Sequence, residues 1–129
     1  MSALGDVPEK DADERVEALY NRIREQFGVD EVPNTFRTMA HKPEFLETLL
    51  DMDKAVFEPD LLDSKTKHLI AVAVSAAGGC SYCVHAHSAI AQMLGASEEE
   101  VAEAMTVAAV MGAYNNFNKA MGLDLDITP

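Results

Sequence analysis

Apolar residues recur along this chain at helical spacing, and no stretch alternates in the manner of a strand bounded by turns. From residue 9 the run EKDADERVEALYNRIREQF places Val16, Leu19, Tyr20, Ile23 and Phe27 three or four positions apart, and Gly28 ends it. VPNTFRTMAHKP follows, with Pro33 and Asn34 suited to a helix start and Pro43 marking the next break. Residues 43–57 repeat the amphipathic spacing through Phe45, Leu49, Met52 and Val56, and Pro59 closes the segment. Ser64 is read as the cap of a further helix, KTKHLIAVAVSAA, which is apolar on most sides and therefore expected at the centre. Gly78 and Gly79 punctuate before a helix that runs to Leu94 and Gly95. Ser97, with Glu100 three residues on, forms a capping box for a last helix that extends to about Met121, with a bend expected near Gly112. The expected fold is all-α, a single domain of about six helices over residues 1–129.

A chain of 129 residues with 48% hydrophobic content can bury a sizeable core. The charge is −12, from 22 acidic against 10 basic residues, and such a surface repels nucleic acid and anionic lipid. The start, MSALGDVPEK, carries no basic or apolar leader pattern. The most apolar run, residues 69–84, is short for a membrane span and is interrupted by two glycines. A cytoplasmic location is expected, with neither nucleic acid nor membrane as partner. In a reducing compartment, paired cysteines serve catalysis or metal binding more often than stapling.

Both cysteines and two of the four histidines fall in CSYCVHAH, residues 80–87. No Asp or Glu occurs from Ser64 to Ser97, so a thiolate there meets no like charge nearby in sequence. With Cys80 at zero on a helical wheel, Cys83 falls at about 300° and His87 at about 340°, while His85 falls at about 140°. His87 is thus expected to reach the thiols and His85 to point away. An imidazole one turn from a thiol can take its proton, and a helix N-terminus favours the anion on Cys80. Residues three apart on a helix hold their Cβ atoms roughly 5–6 Å apart, whereas a disulfide prefers about 3.5–4.5 Å. A bridge therefore forms with adjustment at the helix start and is readily reduced.

Three other readings compete. Cys80 and Cys83 could be inert core residues. They could hold zinc with His87 and either His68 or His85, although three ligands on one helix seldom surround a tetrahedral ion. Covalent haem is excluded, because Val84 follows Cys83. His68, twelve residues before Cys80, could approach the site across the Gly-Gly turn, whereas His41 reads as structural. Met93, Met105, Met111 and Met121 read as core filler, and Tyr114, Asn115, Asn116 and Phe117 could line a pocket.

The stretch KTKHLIAVAVSAAGGCSYCVHAHSAIAQMLGASEEEVAEAMTVAAVMGAYNNFNKAM, with VPNTFRTMAHKPEFLETLL upstream, resembles the alkyl hydroperoxidase D-like branch of the carboxymuconolactone decarboxylase superfamily. The resemblance covers roughly residues 32–122, leaving 1–31 as an N-terminal helical extension. It implies an all-α fold that assembles into trimers or hexamers, and a cofactor-independent thiol oxidoreductase. Such an enzyme reduces small peroxides or disulfides and is recharged by an external dithiol. By position Cys83 corresponds to the peroxide-attacking cysteine, Cys80 to its disulfide partner, and His87 to the histidine of the proton relay. Where resembling proteins commonly carry glutamate, this chain has His68, in KTKHLIAV. A cofactor-free lyase of the decarboxylase type, with His68 or His87 as acid–base, is the alternative, as is a metal-binding structural protein.

Overall fold

The computed structural model describes residues 2–127, whose regular elements are helices, with no strand among the described residues. They divide into two compact units, Met1–Glu58 and Pro59–Pro129.

In the first unit a 3-10 turn, Glu9–Asp11, precedes α1 (Glu14–Phe27), α2 (Asn34–Met39) and α3 (Pro43–Phe57). The first helical run is thus split. Asp13 takes the N-cap position and accepts a hydrogen bond from the Val16 amide at 2.9 Å, which starts α1 afresh. Val16, Leu19, Tyr20 and Ile23 of α1 are buried in one core with Leu46 and Leu50 of α3, Val32 and Ala40. Burial of each of those α3 leucines stabilises the unit by roughly 1.5–3 kcal/mol. The buried face of α3 is therefore not the expected one. Phe45, Met52 and Val56 are exposed, because the α3 stripe that meets α1 lies one residue further round the helix. Phe27 stacks on Phe36 with ring centroids 5.0 Å apart, tying the end of α1 to α2. His41 Nε2 hydrogen-bonds the Gly5 carbonyl at 2.8 Å.

The second unit is built from α4 (Ser64–Ala77), α5 (Ser81–Met93) and α6 (Glu98–Met121), with α4 packed against both others. Asp63, rather than Ser64, caps α4, accepting from the Thr66 amide at 2.7 Å. Val72 of α4, Ala91 of α5, Ala96 and Val101 of α6 form its buried core, with Leu69 packed against them. The central place expected for α4 holds, although its Ile70 and Val74 remain exposed. The turn into α5 depends on Gly79, whose φ of 75° disfavours any residue with a Cβ. The capping box on α6 forms as read: Glu100 N–H donates to Ser97 Oγ at 3.0 Å, and Ser97 N–H donates to Glu100 Oε2 at 2.8 Å. Glu100 also meets Lys65 of α4 at 3.2 Å, so one carboxylate closes the helix start and joins two helices.

The last helix runs through Gly112 as a single element. Met93, Met105, Met111 and Met121 are all exposed and so do not fill the core. For Met105, Met111 and Met121 the reason lies in α6, whose apolar residues are not turned onto one face of the unit. Val107, Val110, Tyr114, Phe117 and Met121 are exposed and recur at alternating spacings of three and four, the spacing of a helix–helix seam.

Candidate active site

Cys80 is the N-cap of α5, with φ −95° and ψ 90°, and so lies off the helical path that begins at Ser81. Its own amide donates to the Ser75 carbonyl at 3.0 Å, which pins the turn to the end of α4. Its sulfur accepts a hydrogen bond from the Cys83 amide at 3.2 Å. An N-cap sulfur receives both an amide hydrogen and the positive end of the helix dipole, and both stabilise negative charge on it. Cys80 and Cys83 are joined as a disulfide, with Cα atoms 5.3 Å apart, inside the range such bridges require. The extended cap residue supplies the adjustment that two positions within one regular helix would lack.

His87 lies one turn after Cys83 on the same face of α5. His68 projects from α4, and the two imidazoles meet Nδ1 to Nδ1 at 2.9 Å, with ring centroids 5.2 Å apart and planes tilted by 30°. That distance fixes the proton count between them. Two Nδ1–H groups would collide and two bare nitrogens would repel, so one ring donates and the other accepts. The neutral accepting ring then carries its hydrogen on Nε2. Burial, and secondly the charge of His87, hold the pKa of His68 below the ordinary histidine value.

On another side of the disulfide a groove of about 310 Å³ opens between the end of α4 and the start of α5. Ser75, Ala76 and Gly79 line it from the first, and Cys80, Ser81, Val84 and His85 from the second. His85 and Cys80 thus line one groove. The wheel counted Cys80 as helical, whereas its backbone is extended. Pairing of His68 with His87 was legible only as a possibility, since the packing angle of α4 on α5 decides it. Tyr114, Asn115, Asn116 and Phe117 are exposed on α6 and line no part of this groove.

No group of three or more His, Cys, Asp or Glu suited to a metal ion occurs among the described residues. No helix among them is long and apolar enough to cross a membrane.

An all-helical unit carrying a Cys-x-x-Cys disulfide at a helix start, and a histidine pair joining α4 to α5, defines a class of thiol-bearing helical proteins. Residues 43–124 match the carboxymuconolactone decarboxylase family, and the chain belongs to that family, in its alkylhydroperoxidase AhpD-like branch. The fold is similar to the alkylhydroperoxidase AhpD core from Rhodospirillum rubrum, with a TM-score of 0.88 and 30% identity over 98% of this chain and 95% of that one. A protein from Methanobacterium thermoautotrophicum is similar with a TM-score of 0.63 and 35% identity, covering 67% of this chain and 97% of that one. Over 80 residues the chain is 40% identical to uncharacterized protein 4 in the cox locus of Paracoccus denitrificans, covering 60% of this chain and 72% of the relative.

Proposed function

We propose that this protein is a thiol oxidoreductase that cycles Cys80 and Cys83 between dithiol and disulfide while reducing a small peroxide or an organic disulfide. The observation that carries this reading is the Cys80–Cys83 bond at the N-terminus of α5, with His87 one turn beyond Cys83 and hydrogen-bonded to His68. In the reduced protein His87, backed by His68, takes the Cys83 proton. The Cys83 thiolate attacks one peroxide oxygen, the O–O bond breaks, and the leaving oxygen departs as alcohol or water with that proton. Cys83 is then a sulfenic acid. Cys80, whose charge the helix start stabilises, attacks the Cys83 sulfur and expels the oxygen as water. An external dithiol reduces the resulting disulfide and is itself oxidised. With an organic disulfide as substrate, the same dithiol reacts through a mixed disulfide. No cofactor takes part in either version.

The similarity to an alkylhydroperoxidase core supports the peroxide arm, and His68 in place of the family's customary glutamate supports a role in disulfide exchange as well. The exposed seam on α6 supports assembly of like chains, in the trimeric or hexameric manner the family resemblance implies. Peroxide consumption with a dithiol as reductant tests the function. Wild type should turn over repeatedly, Cys83→Ser should be inactive, and Cys80→Ser should stop after one equivalent. A wild type that consumes neither peroxide nor organic disulfide would refute the reading.

The histidine pair supports one other reading, a cofactor-free lyase of the decarboxylase type, because its acid–base geometry is complete without the sulfurs. Activity on a substrate of that type in the Cys80→Ser, Cys83→Ser double variant would establish it.

A further inference from the structure

We propose that His85 is the proton carrier for thiol exchange at Cys80, serving the reductive half of the cycle from the groove while the His68–His87 pair serves the oxidative half. The inference rests on the thiol oxidoreductase reading and assigns a residue that the wheel had set aside.

Three observations converge on it. First, Cys80 and His85 both line the groove, so it brings the two residues to one solvent-open space. Second, His68 and His87 are not among the groove's lining residues, so a proton released there does not fall directly to that pair. The other lining residues are Ser75, Ala76, Gly79, Ser81 and Val84. The groove thus has no carboxylate, lysine or arginine in its wall, and α6 contributes nothing to it. Third, the tautomer of His85 is fixed. Its Nδ1 lies 3.2 Å from the Ser81 carbonyl oxygen, which can only accept, so Nδ1 carries the hydrogen and donates. In the neutral ring Nε2 is then unprotonated and able to take a proton.

The step balances as follows. The first thiol of a reducing dithiol gives its proton to His85 Nε2, and its sulfur attacks Cys80 Sγ. The Cys80–Cys83 bond breaks and its electron pair leaves on Cys83 Sγ. The second thiol loses its proton to water, attacks the first reductant sulfur and closes the reductant's own disulfide. Cys80 Sγ leaves with the electron pair and recovers the proton from His85, while Cys83 takes one from water. The protein disulfide has gained two electrons and two protons, and the dithiol has lost the same.

The test is the rate at which dithiothreitol reduces the oxidised full-length protein, read by acid quench, alkylation and mass. His85→Asn places a donor close to the position of Nδ1 and lacks Nε2. His85 is exposed, so this variant should melt as wild type does. Its reduction should slow at least roughly tenfold, which is below the usual range for a positioned acid–base group because the groove is open to water. Added free imidazole should restore part of the rate. Oxidation of the reduced variant by hydrogen peroxide should slow far less. Reduction at the wild-type rate, or an equal loss in both half-reactions, would overturn the assignment. If wild type reacts with neither peroxide nor organic disulfide, the proposed function falls, yet the dithiothreitol arm still reads the role of His85.

Discussion

His68 and His87 face each other with one hydrogen between two nitrogens, and this sets how the site responds to pH. Because burial and then His87 lower the His68 pKa from 6.5, the unfolded chain binds a proton that the folded chain refuses as pH falls through that value. Stability should therefore decline on acidification from 6.5 and level off below the folded-state pKa. His68→Gln should flatten that decline, measured as Tm across mildly acidic buffers, and an unchanged slope would show that the pair is not coupled as described. Spacing alone puts His87 one turn after Cys83, since positions 83 and 87 share a face of any helix. The His68 contact does not follow from spacing, because it depends on how closely α4 and α5 pack. His85 lines the same groove as Cys80, which a wheel does not display. A wheel assigns every residue a helical backbone, and Cys80 with ψ of 90° does not have one.

At the scale of elements, stability in the second unit depends on how its helices start and turn. Ser97 satisfies an α6 amide that otherwise faces solvent unpaired. Ser97→Ala should cost about 1 kcal/mol in urea unfolding. Gly79→Ala should cost roughly 1–2 kcal/mol, since φ of 75° is disfavoured for any L side chain although the space is open. It should also slow closure of the disulfide, because Gly79 directly precedes Cys80. The caps carry a pH signature opposite in origin to that of His68. Hydrogen bonds from backbone amides, first of all, lower the pKa values of Asp63 and Glu100, and Lys65 lowers both further. Their contribution is complete above the ordinary carboxylate range and is lost as pH falls through the lowered values. The capping box was readable as Ser-x-x-Glu, whereas the cap of α4 was assigned one residue late because Asp63 and Ser64 are both good caps. On α3 two apolar stripes lie side by side, and only the partner helix α1 selects Leu46 and Leu50.

The molecule as a whole presents apolar surface where its sequence suggested core. Val107, Val110, Tyr114, Phe117 and Met121 form an exposed seam, so the α6 methionines read as core filler lie on the surface of the chain. Composition cannot separate a residue buried by its own chain from one buried by a copy. If the seam joins copies, Val110→Asp with Phe117→Asp should convert an oligomer to monomer in light scattering, with helix content retained. A wild-type monomer would remove that reading and leave the thiol chemistry intact. The chemistry itself is tested most directly by counting thiols. One equivalent of hydrogen peroxide added to reduced protein should remove both alkylatable sulfurs together and yield an intramolecular Cys80–Cys83 disulfide by peptide mass. The account is contradicted if both sulfurs remain alkylatable after peroxide, or if Cys83 oxidises alone while Cys80 stays a thiol.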